Sequence, residues 1–400
     1  MRVLICKFVD KLISVSRRLD PFYRDGFDAL LQKPLTSFVQ FFIQLFSEKQ
    51  VLAVAEEKQL KNEDYYVEQI TAQMNNFLKR HYENKNVVAE RAGNTKTYGL
   101  VKAEFTVLPE LSDELSVGLF AQAASYPVYI RFAGPGPLAT RDIDNNGILS
   151  IGIKLMNVSG DKLSNEEDNT QDFLGISCPT FTTPDVVANL QLQQEIDRDT
   201  PAWYFLNPFN SHFLDAVMQG LYARTHANPL ELEYYSCVPF LFGEGRAVKF
   251  KIKPRINHKS KVGELTDNYL REAMVNSLSE QAMEYDFCIQ FQTDPQRMPI
   301  ENASVMWSEK LSPFIRVAKI TIPQQKFDYP DQLSFARFLS FNPWHCLSAH
   351  RPLGNQNRGR KIIYETTSKM RQSINKDSHI EPTGNEVFGM TDEPKKVVSA

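Results

Sequence analysis

Four hundred residues carrying 45 basic and 48 acidic side chains, with a net charge of −3 and no long basic stripe, exclude a nucleic-acid binder that works by charge. Hydrophobic residues make up 42% and charged residues 23%, which is ordinary for a globular chain with a large core, and the 27 phenylalanines suit either a big core or an enclosed apolar ligand. The five cysteines (6, 178, 237, 288, 346) are odd in number and never spaced as CxxC, which argues against a disulfide framework or a zinc site and fits a reducing, cytoplasmic compartment.

The first 60 residues read as helices. Leu4, Phe8, Leu12 and Val15 form one stripe, opposed by Lys7, Lys11, Arg17 and Arg18. The run Val3 to Val9 is interrupted by Lys7 and followed by Asp10 and Lys11, so it is a poor signal peptide, and no stretch approaches the ~18 apolar residues of a membrane span. The segment from Leu35 to Phe46 is unusually aromatic. It is expected to be an arm packed on the main domain or on a partner subunit; the sharper alternative is that Phe38, Phe41, Phe42 and Phe46 face lipid and give residues 1–50 a peripheral membrane contact, which deletion of that segment would abolish. A further helix is expected over 62–83.

From Val87 the pattern changes to alternation. Strands are expected over Gly99–Val107, Pro127–Phe132, Leu149–Val158 and Gln171–Cys178, followed by helices over 184–197 and 210–225. Further strands are expected over Glu231–Leu241, Arg246–Lys253, Asp286–Thr293 and Phe314–Ile322. Residues 373–400 are polar and irregular and are expected to form a loosely held tail. The class is α+β: one antiparallel β-rich domain wrapped by helices.

Two motif-like stretches are dropped. Asp142-Ile143-Asp144 opens like a calcium loop, but Ile153 occupies the twelfth position, where a bidentate glutamate is needed. Gly134-Pro135-Gly136-Pro137 has no following lysine or helix signal, so it is a loop. The histidines form no HExxH or HxH pair, and His345 and His350 read as structural.

The most informative stretch is His350 to Arg371. A Pro/Gly turn leads into a helix expected to start near Asn357. At about 100° per residue, Tyr364 lies ~40° around from Arg360, and Arg371 ~20° from Arg360 on the same side. A phenol between two guanidinium groups calls for an anion, or for a metal that makes the phenol anionic.

With its neighbours, this stretch resembles the catalase superfamily, in particular its short catalase-like haem proteins, which include the coral-type allene oxide synthases and related bacterial proteins. The resemblance covers roughly residues 85–372 and is carried by Ser340-Phe341-Asn342-Pro343-Trp344-His345, His350-Arg351-Pro352-Leu353-Gly354 and the R-x-x-x-Y of Arg360 and Tyr364. It implies a catalase-type antiparallel β-barrel surrounded by helices, a helical N-terminal arm over 1–84 and a C-terminal tail over 373–400. It further implies haem b with Tyr364 as the iron ligand, Arg360 bonded to the phenolate, and Arg91, Arg131 and Arg371 on the propionates. The family's distal histidine falls at Asn94, and its helper asparagine falls at Ile176 or Ser177. An amide cannot shuttle the proton that splitting hydrogen peroxide needs, and losing a positioned acid–base costs ~10²–10⁴ in rate.

The resemblance therefore points to an oxidoreductase-type conversion of organic, fatty-acid-like hydroperoxides, with Asn94 orienting the peroxide. Two alternatives stand beside it: a weak catalase or peroxidase acting on hydrogen peroxide, and a non-catalytic haem-binding protein. A small-molecule hydroperoxide, a lipid surface and a second copy of the chain are the partners expected.

Overall fold

A computed structural model describes residues 2–49 and 51–389. The N-terminal arm is α1 (Arg2–Phe27), one π-turn (Asp28–Gln32) and α2 (Lys33–Phe46), followed by α3 (Glu63–Tyr82). The strands are β1 (Thr97–Val107), β2 (Ser125–Ala133), β3 (Ser150–Leu155), β4 (Gln171–Ile176), β5 (Tyr234–Tyr235), β6 (Phe240–Leu241), β7 (Ala247–Pro254), β8 (Met283–Phe291) and β9 (Ile315–Ile322). Between and after them lie α4 (Val186–Asp197), α5 (Pro201–Leu206), α6 (Phe213–Tyr222), α7 (Tyr269–Glu280), α8 (Pro330–Phe338) and α9 (Asn355–Asn375).

The sheet order β5-β4-β3-β2-β1-β9-β8-β7 is closed by pairing of β5 with β7, giving an eight-stranded antiparallel barrel with β6 added on β7. Side chains alternate across the strands as their period of two requires. Val128, Ile130 and Phe132 of β2 and Ile151, Ile153 and Leu155 of β3 fill the barrel with Phe105, Phe173, Phe250 and Phe287. Tyr129, next in sequence to two of these, faces outward with Leu100 onto Phe335 and Leu339 of α8 and its C-terminal end.

Several expected boundaries shift. The strand expected over Glu231–Leu241 is broken into β5 and β6 around Cys237, whose φ of 60° cannot continue a strand. The helix expected over 210–225 is α6 alone, with α5 before it. The helices α7 and α8 have no counterpart in the sequence reading; their hydrophobic periodicity is weak, and packing against β1 rather than local pattern holds them. Residues 376–389, expected as part of a loose tail, lie on the barrel: Phe388 packs with Tyr129 and Phe335, and the Tyr129 hydroxyl donates to Glu386 at 2.6 Å. Residues 390–400 lie outside the described residues.

The arm has two faces. Val39 and Ile43 of α2 pack against Met218, Leu221 and Val305, so one face is a packing arm as expected. The opposite face leaves Phe8 62%, Phe22 85%, Phe38 62% and Phe41 62% exposed. Among the described residues no helix is long and apolar enough to cross a membrane.

Candidate functional site

The start of α9 is fixed from several directions. Gly354 has a φ of 85°, and a Cβ there would come 2.6 Å from the Ile300 carbonyl oxygen, so only glycine fits the turn. The helix begins at Asn355, two residues earlier than expected. The Asn355 amide donates to Glu301 at 2.7 Å, and Arg358 reaches Glu63 at 2.7 Å, Glu57 at 2.6 Å and Glu301 at 3.1 Å. Asn357 donates to the Pro239 carbonyl at 2.8 Å, and its own carbonyl oxygen accepts the Trp344 indole N–H at 2.7 Å.

This anchoring sets the rotation of α9, which turns Arg360, Tyr364 and Arg371 toward the outside of β2–β4. Arg131 of β2 is in register with Gly152 of β3, and Gly152 with Leu174 of β4, so these three share one outward face. Between that face and α9 lies a cavity holding about 1010 Å³ of empty space counted to its mouth. All six residues singled out in the sequence line it: Arg91, Asn94, Arg131, Arg360, Tyr364 and Arg371. The remaining wall was not foreseen. Ser150, Gly152, Leu174, Phe181, Phe341 and Ser368 are among its residues. A Cβ at Gly152 would stand 3.1 Å from the Phe341 ring, so this glycine admits the ring to the wall. Of the two candidate positions for the helper asparagine, Ile176 lines the cavity, whereas the Ser177 hydroxyl accepts the Leu149 amide at 2.9 Å.

The charges are arranged unusually. Arg91, Arg131 and Arg371 are enclosed together, and their hydrogen bonds go to carbonyl and hydroxyl oxygens rather than to carboxylates. Arg91 donates to the Ala336 carbonyl at 3.0 Å; Arg131 to Thr97 Oγ1 at 3.0 Å and the Asn94 carbonyl at 2.9 Å; Arg371 to Ser368 Oγ at 3.3 Å. Nη1 of Arg91 is buried without a partner. Burial pulls the pKa of Arg131 and Arg371 down to about 10; the field of Glu90 opposes this at both and that of Asp377 at Arg371, while Arg371 repels Arg131. Arg91 falls well below its usual range through burial first and then the fields of Arg131 and Arg371. A cluster of buried cations hydrogen-bonded only to neutral oxygens, with Glu90 acting on it through its field, can seat an anion of two or more charges.

Arg360 differs. Nη1 donates to Asn357 Oδ1 at 2.9 Å, and the guanidinium carbon lies over the Tyr364 ring at 5.0 Å and the Phe181 ring at 5.6 Å from their centroids. Asn94 holds a left-handed φ of 46°, a conformation asparagine tolerates.

Behind the wall is a charge cluster that the sequence did not disclose. Lys154 of β3 points outward, yet it is completely buried. Nζ pairs with Asp172 at 2.8 Å and with Glu167, and it lies 3.3 Å from His345 Nδ1. Glu167, Asp172 and His345 converge as metal ligands can. The ammonium of Lys154 already supplies the cation there. Asp172 also accepts the Asn342 amide at 2.9 Å, so the cluster holds the loop that carries Phe341. His345 is thus structural, as expected. So is His350, whose Nε2 accepts the Leu119 amide at 2.9 Å. In the dropped calcium-like loop, Asp142 pairs with Lys96 at 2.6 Å.

No family model matches the chain, and a search of curated proteins returns no match. Solved structures do match. A fungal catalase superposes with a TM-score of 0.56 at 15% identity, covering 86% of this chain and 70% of that one. A bacterial catalase gives 0.54 at 15%, with 88% and 70% covered, and catalase A from Saccharomyces cerevisiae gives 0.59 at 13%, with 86% and 72% covered. At such identities the likeness establishes the fold: this chain has the catalase fold, a closed barrel with surrounding helices and an N-terminal helical arm.

Proposed function

We propose that the cavity binds haem b and that the chain converts organic hydroperoxides. The observation that carries this is the trio of buried guanidinium groups hydrogen-bonded to carbonyl and hydroxyl oxygens, set beside a phenol on the same cavity wall. A dicarboxylate with a flat apolar body fits that donor set, with Leu174, Phe181 and Phe341 supplying apolar wall. Arg91, Arg131 and Arg371 would hold the propionates, and Tyr364 the iron. Bound haem would supply a tyrosinate-ligated ferric centre able to activate an O–O bond.

The chain's own residues do the rest. Arg360 lies over the Tyr364 ring and is itself oriented by Asn357, so its hydrogen bond goes to that side chain and the phenol meets the guanidinium through its ring face. Phe181, Phe341 and Leu174 exclude water from the wall. Among the described residues that line this cavity with Asn94 and Ile176 there is no histidine, carboxylate or lysine. Asn94 can donate a hydrogen bond to a peroxide oxygen, but it cannot carry a proton from one oxygen to the other. That favours organic hydroperoxides over efficient turnover of hydrogen peroxide. A haem-binding protein without turnover is the reading that the same experiment separates.

The test is an absorption spectrum of haem-loaded protein beside Tyr364→Phe, followed by anaerobic mixing with a fatty-acid hydroperoxide and with hydrogen peroxide. A high-spin ferric tyrosinate spectrum lost in the variant, with faster consumption of the fatty-acid hydroperoxide, is expected. No consumption of that substrate overturns the enzymatic reading; no haem uptake overturns both.

The exposed face of the arm extends this reading to a lipid surface. Leu4, Phe8, Leu12, Val15, Leu19 and Phe22 are all exposed along α1, with Lys7, Lys11 and Arg18 exposed beside them. Co-sedimentation with vesicles containing anionic phosphatidylglycerol, lost in a Phe38→Ser, Phe41→Ser, Phe46→Ser triple variant, is the expected result; a second copy of the chain on this face would instead give a concentration-dependent dimer without vesicle binding.

A further inference from the structure

A second chamber adjoins the arginine-lined cavity. It shares Asn94, Ile176 and Phe181 with it and continues outward to α1, where Ile13 and Arg17 form part of its lining. Its volume is about 440 Å³. Hydrogen peroxide, close in size to a water with its share of ~30 Å³, needs no such room.

The α1 wall is firmly held. Arg17 pairs with buried Asp20 at 3.2 Å and donates to the Ala223 carbonyl. The Thr225 hydroxyl donates to the Arg17 carbonyl at 2.6 Å, and its amide to Asp20 at 2.7 Å. Arg224 bridges Asp25 at 2.6 Å and Asp28 at 2.7 Å. These contacts tie α1 to the segment that follows α6. Ile13 lies one turn before Arg17 and so shares its side of the helix.

Charge in the chamber is cancelled in place. Asp20 neutralises Arg17, and Asp144, also on the wall, pairs with Arg141 at 2.8 Å. Ile13, Ile148 and Phe205 contribute apolar surface. With neutral polar groups such as Asn145, Thr182 and Gln219 also on the wall, a chamber of this kind selects by size and not by an anionic head group.

We propose that α1 is part of the substrate site: the second chamber receives the uncharged organic group of a hydroperoxide whose peroxide end lies at Asn94, and Ile13 sets how large that group can be. The proposal rests on the haem reading above.

The experiment compares wild type, Ile13→Trp and Ile13→Ala, each haem-loaded, by titrating imidazole and 4-phenylimidazole and following the Soret band. Ile13 is half exposed, so both replacements fold, and imidazole binding within twofold of wild type verifies it. Ile13→Trp is expected to weaken 4-phenylimidazole at least tenfold, and Ile13→Ala to leave it unchanged or tighter. Equal affinities of all three proteins for 4-phenylimidazole overturn the role of α1. Absence of a Soret band in the wild type overturns the haem reading itself, and this proposal falls with it.

Discussion

The guanidinium of Arg360 lies over the face of the Tyr364 ring, 5.0 Å from its centroid, and is steered there by Asn357 Oδ1. The two side chains are therefore a stacked pair with a third residue fixing the cation. Arg360→Leu removes the cation and leaves Asn357 Oδ1 without the donor it has from Arg360, for an expected stability loss of ~1–3 kcal/mol. Arg360→Lys, which cannot present a planar fork, is expected to recover less than half of it. Urea denaturation of the haem-free protein measures both.

Burial disfavours the charges of Arg91, Arg131 and Arg371, and Arg371 also repels the other two, an effect that Glu90 offsets in part. Arg371→Gln is accordingly expected to stabilise the haem-free protein slightly while weakening haem binding at least tenfold, an opposition of signs that a merely structural arginine would not give. Thermal melts with and without haem would reveal it, and parallel losses in both forms would refute the dianion seat.

Lys154 supplies the positive charge between Glu167, Asp172 and His345. Lys154→Met strands buried carboxylates and is expected to cost ~3–5 kcal/mol, the range for breaking a buried ion pair by removing one partner. The loop bearing Phe341 should loosen with it, seen as faster amide exchange at Asn342, whose N–H is bonded to Asp172.

Stability should fall on both sides of neutrality, for different histidines. Burial and Lys154 would lower the pKa of His345, but hydrogen bonds to Asp172, Glu166 and Glu167 outweigh them and raise it to about 10. Its contribution is complete below the unfolded value of ~6.5 and is lost as pH rises from there toward 10. Burial lowers His350 to about 4 and His226 to about 3, so their contribution is present above ~6.5 and is lost as pH falls toward those values. Urea midpoints from pH 4 to 10 should show His345→Gln flattening the alkaline limb and His350→Asn the acid limb.

Under the proposed haem reading, Asn94 and Ile176 would stand where an acid–base pair acts on hydrogen peroxide. Replacing them together, Asn94→His with Ile176→Asn, is expected to raise oxygen evolution from hydrogen peroxide by ~10²–10⁴ over wild type. An unchanged rate in haem-loaded variant would show that the distal side lacks more than these two groups.

Much of this could be read from local sequence. The alternation in Pro127–Phe132 placed Arg131 on the face opposite Ile130, and the helical spacing of Arg360, Tyr364 and Arg371 put them on one cavity wall. What escaped notice depends on distant partners. Lys154, Glu167, Asp172 and His345 look like unremarkable polar residues until β3, β4 and the loop before α9 meet. Arg358 gives no hint in sequence that Glu57, Glu63 and Glu301 will surround it. The helices α7 and α8 take their stability from β1 and so leave little trace in their own periodicity.

The barrel's closure carries a further consequence. β5 contributes two residues, which meet β7 at Tyr234–Ile252 and Tyr235–Lys251 and β4 only at Ile176–Tyr235. The hoop is clasped by its shortest link, and a clasp opens before the band does. Ile176 belongs both to that clasp and to the cavity wall, so breathing at the clasp is a route by which a wide, flat guest could be admitted after the chain has folded. Amides of Tyr234 and Tyr235 exchanging ahead of those in β1 and β2, and slowing once the guest is in place, would be its signature.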